Sequence, residues 1–187
     1  KVESCNVESA TIELPTDVTK TGYTFNGWYK DGVKVTEIAS GTCTGAISLV
    51  AHWTINSYEC AAGEYLAAGA TECSVCEAGS YCVGGTYEYN TEEEQGKSVC
   101  DSNSYSDAGA AECTPCATGY TNSDDRAGIG SCKITCPAGE YVAEAGKGCE
   151  TVGEGYYGIG GTVGQDKTLS RNQCPEGYRD GSAAERE

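Results

Sequence analysis

Thirteen of the 187 residues are cysteine, and their thiols are the groups in this sequence best suited to chemistry. Cys73-x2-Cys76, Cys113-x2-Cys116 and Cys132-x3-Cys136 each bring two sulfurs close along the chain. Such pairs suit a tetrahedral zinc ion, a dithiol redox couple or separate disulfides. The Cys-x2-Cys pairs stand 36 residues apart, longer than the interval in zinc ribbons. A redox pair needs a low-pKa thiol near a helix start in a βαβ setting, and no βαβ pattern occurs. Disulfides are the remaining reading, and they imply an oxidising compartment, extracellular or at a cell surface.

Little else here has catalytic potential. His52 is the one histidine, and its place in Val50-Ala-His-Trp53 makes it a surface imidazole of a strand rather than a ligand or base. Glu92-Glu-Glu94 and Ser123-Asp-Asp125 lack the spaced acids and terminal Glu of a calcium loop and read as solvated charge. Gly158-Ile-Gly-Gly161 has no strand before it and no Lys-Ser/Thr after it, so it is no phosphate cradle. No asparagine stands in an Asn-x-Ser/Thr acceptor. With 12 basic against 28 acidic residues and a net charge of −16, nucleic acid and anionic membranes are excluded as partners by charge. No enzyme activity, metal or cofactor is expected.

Leu, Ile, Val and Phe make up 24 of the 187 residues, about 13%, below the roughly 20% at which highly charged chains stay unfolded. Cross-links must stand in for the missing core. The deficit is uneven. Residues 1–56 hold 13 of those 24 and both tryptophans; residues 57–187 hold 11 of the cysteines, 11 of 13 tyrosines and 21 of 26 glycines. No run of 18 apolar residues occurs, so this segment inserts in no membrane. The absence of Met and of a leader points to a mature or trimmed segment.

In residues 1–56, Ala10–Leu14 alternates as a strand ending at Pro15. Tyr23–Tyr29 places large aromatics on one face, Asp31-Gly32 is a tight turn, and Val33–Val35 resumes the hairpin. Ala46–Trp53 supplies a closing strand. Leu14-Pro15, Thr21-Gly-Tyr-Thr-Phe-Asn-Gly-Trp-Tyr29 and Ile47-Ser-Leu-Val-Ala-His-Trp-Thr54 resemble the Listeria-Bacteroides repeat, the internalin B-repeat type of bacterial surface module. That resemblance implies a β-grasp-like fold and a spacing or supporting part in adhesion. Cys5 and Cys43 depart from the family's usual form.

The remainder repeats. Cys60-x12-Cys73-x2-Cys76, Cys100-x12-Cys113-x2-Cys116 and Cys136-x12-Cys149-x2-Val152 recur at offsets of 40 and 36 residues. The units are residues 57–99, 100–135 and 136–173, with a truncated fourth at 174–187. Gly-Tyr pairs recur behind the cysteines, as in Gly63-Glu-Tyr65, Gly119-Tyr120 and Gly139-Glu-Tyr141. Glycine then supplies left-handed turns, while tyrosine lays its ring over a disulfide with the hydroxyl in water. The pattern resembles the cysteine-rich repeats of tumour-necrosis-factor-receptor and ephrin-receptor ectodomains, which implies an elongated rod of disulfide loops.

Spacing alone does not choose among pairings of 13 cysteines, but the third repeat does. Val152 stands where Cys76 and Cys116 stand, and Gly158 where Cys82 stands. Joint loss makes Cys76 and Cys82 partners and leaves Cys60 with Cys73. The same logic joins Cys100 to Cys113, Cys116 to Cys132 and Cys136 to Cys149, with Cys5 and Cys43 paired in the first module. Cys174 is left unpaired, its expected partner lying just beyond Glu187.

The fold class expected is therefore mostly β and disulfide-rich: a β-grasp-like module followed by an elongated array of stapled loop and hairpin repeats. The function expected is a structural stalk or filament-forming segment of a large extracellular or cell-surface protein, a rigid spacer in adhesion. Its partners would be neighbouring repeats, copies of itself, or a host or cell-surface protein or glycan. The alternative is a receptor-like or adhesin ectodomain that recognises a protein or glycan through Thr86–Gly96 or Thr121–Gly130.

Overall fold

β-Branched and aromatic residues at alternate positions build the first module. The computed structural model describes residues 5–122 and 125–176. Part of the Ser123–Asp125 acidic run, the Gly177-Tyr178 pair and most of the fourth repeat lie outside the described residues.

β1 (Ile12–Glu13), β2 (Tyr23–Lys30), β3 (Val33–Val35), β4 (Glu37–Ile38) and β5 (Val50–Ile55) form the module. A three-stranded antiparallel sheet runs β3-β2-β5, and β1 pairs with β4 beside it. Asp31 (φ 49°) and Gly32 (φ 81°) both take positive φ, the requirement of a two-residue hairpin turn whose twist matches the strands. The closing strand begins at Val50, later than alternation from Ala46 predicts, and the first is shorter than Ala10–Leu14. No helix lies among the described residues of this part.

The aromatics do not all share one face. A β-bulge between Phe25 and Gly27 shifts the register from Phe25↔Trp53 to Gly27↔His52. Trp28 is thereby brought to the side of Phe25, and Tyr29 is sent to the other. Phe25 packs 5.5 Å from Trp28 and 5.0 Å from Trp53, centroid to centroid. The Trp28 indole N–H donates to the Pro15 carbonyl at 2.8 Å, which fastens the β1 segment over the cluster. Tyr29 stacks on the exposed His52 at 3.9 Å.

The repeats share one inner unit. At each Cys-x12-Cys loop, a short strand within the loop pairs with one just past its closing cysteine, in identical register. They are β7 (Glu64–Tyr65) with β8 (Ser74–Val75), β12 (Ser104–Tyr105) with β13 (Thr114–Pro115), and β15 (Glu140–Tyr141) with β16 (Glu150–Thr151). The preceding turn needs a left-handed residue. Gly63 (φ 88°) and Gly139 (φ 86°) supply it in the first and third repeats, and Asn103 (φ 68°) in the second.

Around this unit the first and third repeats match and the second is reduced. β6 (Ser57–Cys60) pairs with β10 (Gly85–Glu88), as β14 (Lys133–Cys136) pairs with β18 (Gly161–Gly164). β9 (Ser80–Cys82) pairs with β11 (Lys97–Val99), as β17 (Tyr156–Tyr157) pairs with β19 (Asn172–Gln173). The second repeat has instead a 3-10 turn at Ile129–Ser131 and single bridges from Ser106 to Ala127 and from Thr121 to Lys133.

Consecutive units are bonded. Gly79 donates to the Ser106 carbonyl at 3.1 Å, Cys82 to Ala110 at 2.9 Å and Gly109 to Cys76 at 2.8 Å. Tyr120 reaches the Lys147 carbonyl through its hydroxyl at 2.8 Å, and Gln165 donates its amide to Cys132 at 2.8 Å. Large apolar side chains are scarce inside: Leu66 and Val142 are fully buried, and most other buried apolar residues are cysteines.

Candidate functional site

Six disulfides run along the chain like rungs: Cys5–Cys43, Cys60–Cys73, Cys76–Cys82, Cys100–Cys113, Cys116–Cys132 and Cys136–Cys149. Their Cα–Cα separations of 5.5 to 5.9 Å suit the bond. Cys174 is unpaired among the described residues. Its amide donates to the Gly155 carbonyl at 2.8 Å, as the Cys100 amide does to Gly79 at 3.0 Å. Cys174 therefore holds the opening position of another unit.

Pairing removes these sulfurs from metal chemistry. The grouping of Cys136, Glu140 and Cys149 brings three possible donors together, but two of them are the sulfurs of one disulfide and offer no thiolate.

In the first repeat, Tyr65 packs on the fully buried Cys76–Cys82 bridge. Its hydroxyl is not left to water as expected, but donates to Glu77 at 3.2 Å. Lys97 completes the arrangement. Its ammonium lies 2.8 Å from Glu77, 3.1 Å from Glu94 and 4.7 Å from the Tyr65 ring centre. The hydrogen bond from Lys97 holds the Glu77 carboxyl below its ordinary value, and the same bond raises Lys97. Burial raises Tyr65, and it likewise raises Tyr120.

The third repeat has a related clamp. The Arg171 guanidinium sits 4.8 Å from the Tyr141 ring centre and 4.3 Å from that of Tyr156. Sequence reasoning missed both cations, although a signal exists. Lys97, Lys133 and Arg171 each stand three residues before the cysteine that opens the next unit.

The loops proposed for recognition are partly committed inward. Thr86–Gly96 contains most of β10, and Gln95 exchanges backbone bonds with Leu66 at 2.9 and 3.0 Å while its side chain donates to Glu88. In Thr121–Gly130, the buried Asn122 donates its side-chain amide to the Ser104 carbonyl at 3.0 Å and to Ser131 at 2.7 Å. Glu92 and Glu93 are exposed, while Glu94 belongs to the Lys97 cluster.

A joint ties the module to the first repeat. Tyr23 and Tyr89 meet edge to face at 5.8 Å, Asn56 bonds to Gly22 and Tyr89 bonds to Asn56, both at 2.9 Å. Gly22 (φ 74°) has no room for a side chain: a Cβ there would lie 2.0 Å from the Tyr89 ring.

No helix among the described residues is long and apolar enough to cross a membrane. Residues 3–52 match the family model of the Listeria-Bacteroides repeat domain. No curated protein and no solved structure matched the chain. The N-terminal module is thus similar to a bacterial repeat domain, and with the disulfide ladder behind it the chain fits an extracellular structural or adhesion-like segment.

Proposed function

We propose that this chain is a stalk or filament-forming segment of a large bacterial surface or secreted protein, a disulfide-stabilised spacer that carries an adhesive region away from its base. The carrying observation is the recurrence of one bridged unit in identical register, bonded to its neighbour each time. In such arrays stiffness passes from unit to unit and copy number sets reach. The scarcity of a shared apolar core supports the same reading. The strong negative charge would hold neighbouring stalks apart. A likeness to tumour-necrosis-factor-receptor or ephrin-receptor repeats belongs to this proposal and rests on cysteine spacing alone.

Small-angle X-ray scattering of the oxidised chain, joined to labelling of intact cells with an antibody to residues 57–122, tests it. The reading expects an elongated particle and surface labelling. A compact particle, or labelling only after the cells are opened, overturns it.

A further inference from the structure

Tension along a cross-linked chain travels through the bridges, so residues inside a closed loop carry none of it. Six loops are bypassed in this way: 5–43, 60–73, 76–82, 100–113, 116–132 and 136–149. What remains in the line of force is uneven. Residues 74–75, 114–115 and 133–135 are too short to lengthen the molecule appreciably. Residues 44–59, 83–99 and 150–173 are longer, at 16, 17 and 24 residues.

We propose that the chain is an extensible tether, with its length stored in those three segments and the largest share of it in the third repeat. The proposal takes its purpose from the stalk reading and its mechanics from bridge connectivity and the short ladders between bridges.

Stored length needs weak fastening and a seat to return to, and residues 150–173 have both. They are held by the two-residue ladders β15/β16 and β17/β19, the four-residue ladder β14/β18, the Val142–Leu169 bonds of 3.0 and 3.1 Å, and single backbone bonds of Val152 and Gly158 with Gly139 and of Gln165 with Cys132. Arg171 adds its contact with Tyr141 and Tyr156. Two-stranded ladders of this length are marginal by themselves. The seat is covalently secured: Tyr141 and Val142 lie within the loop closed by Cys136–Cys149 and stay in place when the segment leaves. In the first repeat the Cys76–Cys82 bridge shortens the corresponding segment. In the second, Cys116–Cys132 and Cys136 leave three residues between bridges. The array thus alternates a yielding unit, a nearly inextensible one and a more yielding one.

Drawn straight at about 3.4 Å per residue, the segments from Cys43 to Cys60, Cys82 to Cys100 and Cys149 to Cys174 span roughly 58, 61 and 85 Å. Optical-tweezers extension of the oxidised chain, held at its two ends, reads these lengths, each less the folded separation of its flanking cysteines. Thr135→Cys with Thr162→Cys supplies the control, because the two hydroxyls face each other at 2.8 Å across β14/β18. A bridge there bypasses the residues up to 162 and removes about 45 Å of the largest release. Thiol titration before pulling establishes that the bridge has formed.

The expected record shows three releases in the oxidised chain, the largest from residues 150–173, with only that one reduced in the bridged variant. A record with no release larger than the other two overturns the proposal, as does a largest release that the new bridge leaves unchanged. An extended surface protein that does not lengthen defeats the tether alone, whereas a compact intracellular one that does lengthen defeats the stalk.

Discussion

Val152 donates its amide to the Gly139 carbonyl at 3.0 Å, the bond that Cys76 makes to Gly63 at 2.8 Å and Cys116 to Asn103 at 2.9 Å. Gly139 in turn donates to Gly158 at 2.7 Å, as Gly63 does to Cys82 at 2.8 Å. Val152 and Gly158 therefore occupy the places of a lost bridge, and the backbone around them has kept its pattern. Closure there comes from close approach: a Cβ on Gly158 would lie 2.6 Å from the Glu140 carbonyl oxygen.

Gly158→Ala is expected to destabilise the third repeat by about 2 kcal/mol, because backbone rather than a yielding side chain blocks the new methyl. Gly153→Ala serves as the comparison. Nothing lies within 4 Å of a Cβ there, so the loss of unfolded-chain freedom should stabilise by about 0.5 kcal/mol. Hydrogen exchange of the Val142 and Leu169 amides reads both; equal protection in the two variants would contradict the assignment of Gly158 as a closure point.

The Tyr65–Glu77–Lys97 cluster gives the first repeat a pH dependence at both ends. Glu77 is depressed by its bond to Lys97, so its contribution is present above the unfolded carboxylate value of 4.5 and fades as pH falls through the lower folded value. Tyr65 and Lys97 are raised, so theirs is present below their unfolded values of 10.0 and 10.5 and fades as pH rises through the higher folded ones. Denaturant midpoints should therefore hold level between about pH 5 and 9 and fall on either side. Lys97→Met should flatten the acid limb, since Glu77 loses the first cause of its shift. An acid limb as steep as in the unaltered chain would show that other carboxylates set it.

Stiffness at the joint rests on the absence of a side chain at Gly22. Gly22→Ala forces a methyl into the Tyr89 ring at a backbone angle that disfavours any side chain, and Tyr89→Ala removes the ring itself. Both should broaden the distance distribution between spin labels placed at Asp31 and Glu112, one on either side of the joint. The structure expects the breadth to rise more for Gly22→Ala, which adds strain to the loss of contact. Distributions as narrow as in the parent chain would mean that Asn56 and the chain connection suffice.

Much of this architecture is legible in the residues. The recurrence of Cys-x12-Cys, with Val152 and Gly158 at two of the cysteine positions, is enough to place the units, and Asp31-Gly32 locates the hairpin because both positions require positive φ. What stays hidden depends on contacts without local pattern. The bulge at Asn26 reverses the faces of Trp28 and Tyr29, and nothing in an alternating string marks it. Asn103 performs the turn of Gly63 and Gly139, so counting glycines misses the second repeat's turn. Pairing of Tyr58 with Tyr87 and Ile134 with Val163 spans loops whose closure the bridges make possible, and short strands at such separation carry no periodicity to read. The clamps are an intermediate case: a basic residue three places before a cysteine is visible, but its seat on a tyrosine belongs to the folded repeat.

Reduction should separate the two parts of the chain. In the first module Phe25 packs on both Trp28 and Trp53, so the sheet has an aromatic cluster of its own beside the Cys5–Cys43 bridge's covalent tie. Beyond residue 56 the buried apolar groups are largely the cysteines, and a bridge over a loop of 14 residues is worth about 3 kcal/mol through the unfolded chain. Breaking the five bridges there removes about 15 kcal/mol, as much as the whole of a domain's usual net stability of about 5 to 15 kcal/mol. In excess reductant, near-ultraviolet dichroism from the tryptophans should persist in part while amide protection at Leu66, Ser106 and Val142 is lost. Retained protection at those three amides would show that the repeats hold together without their bridges.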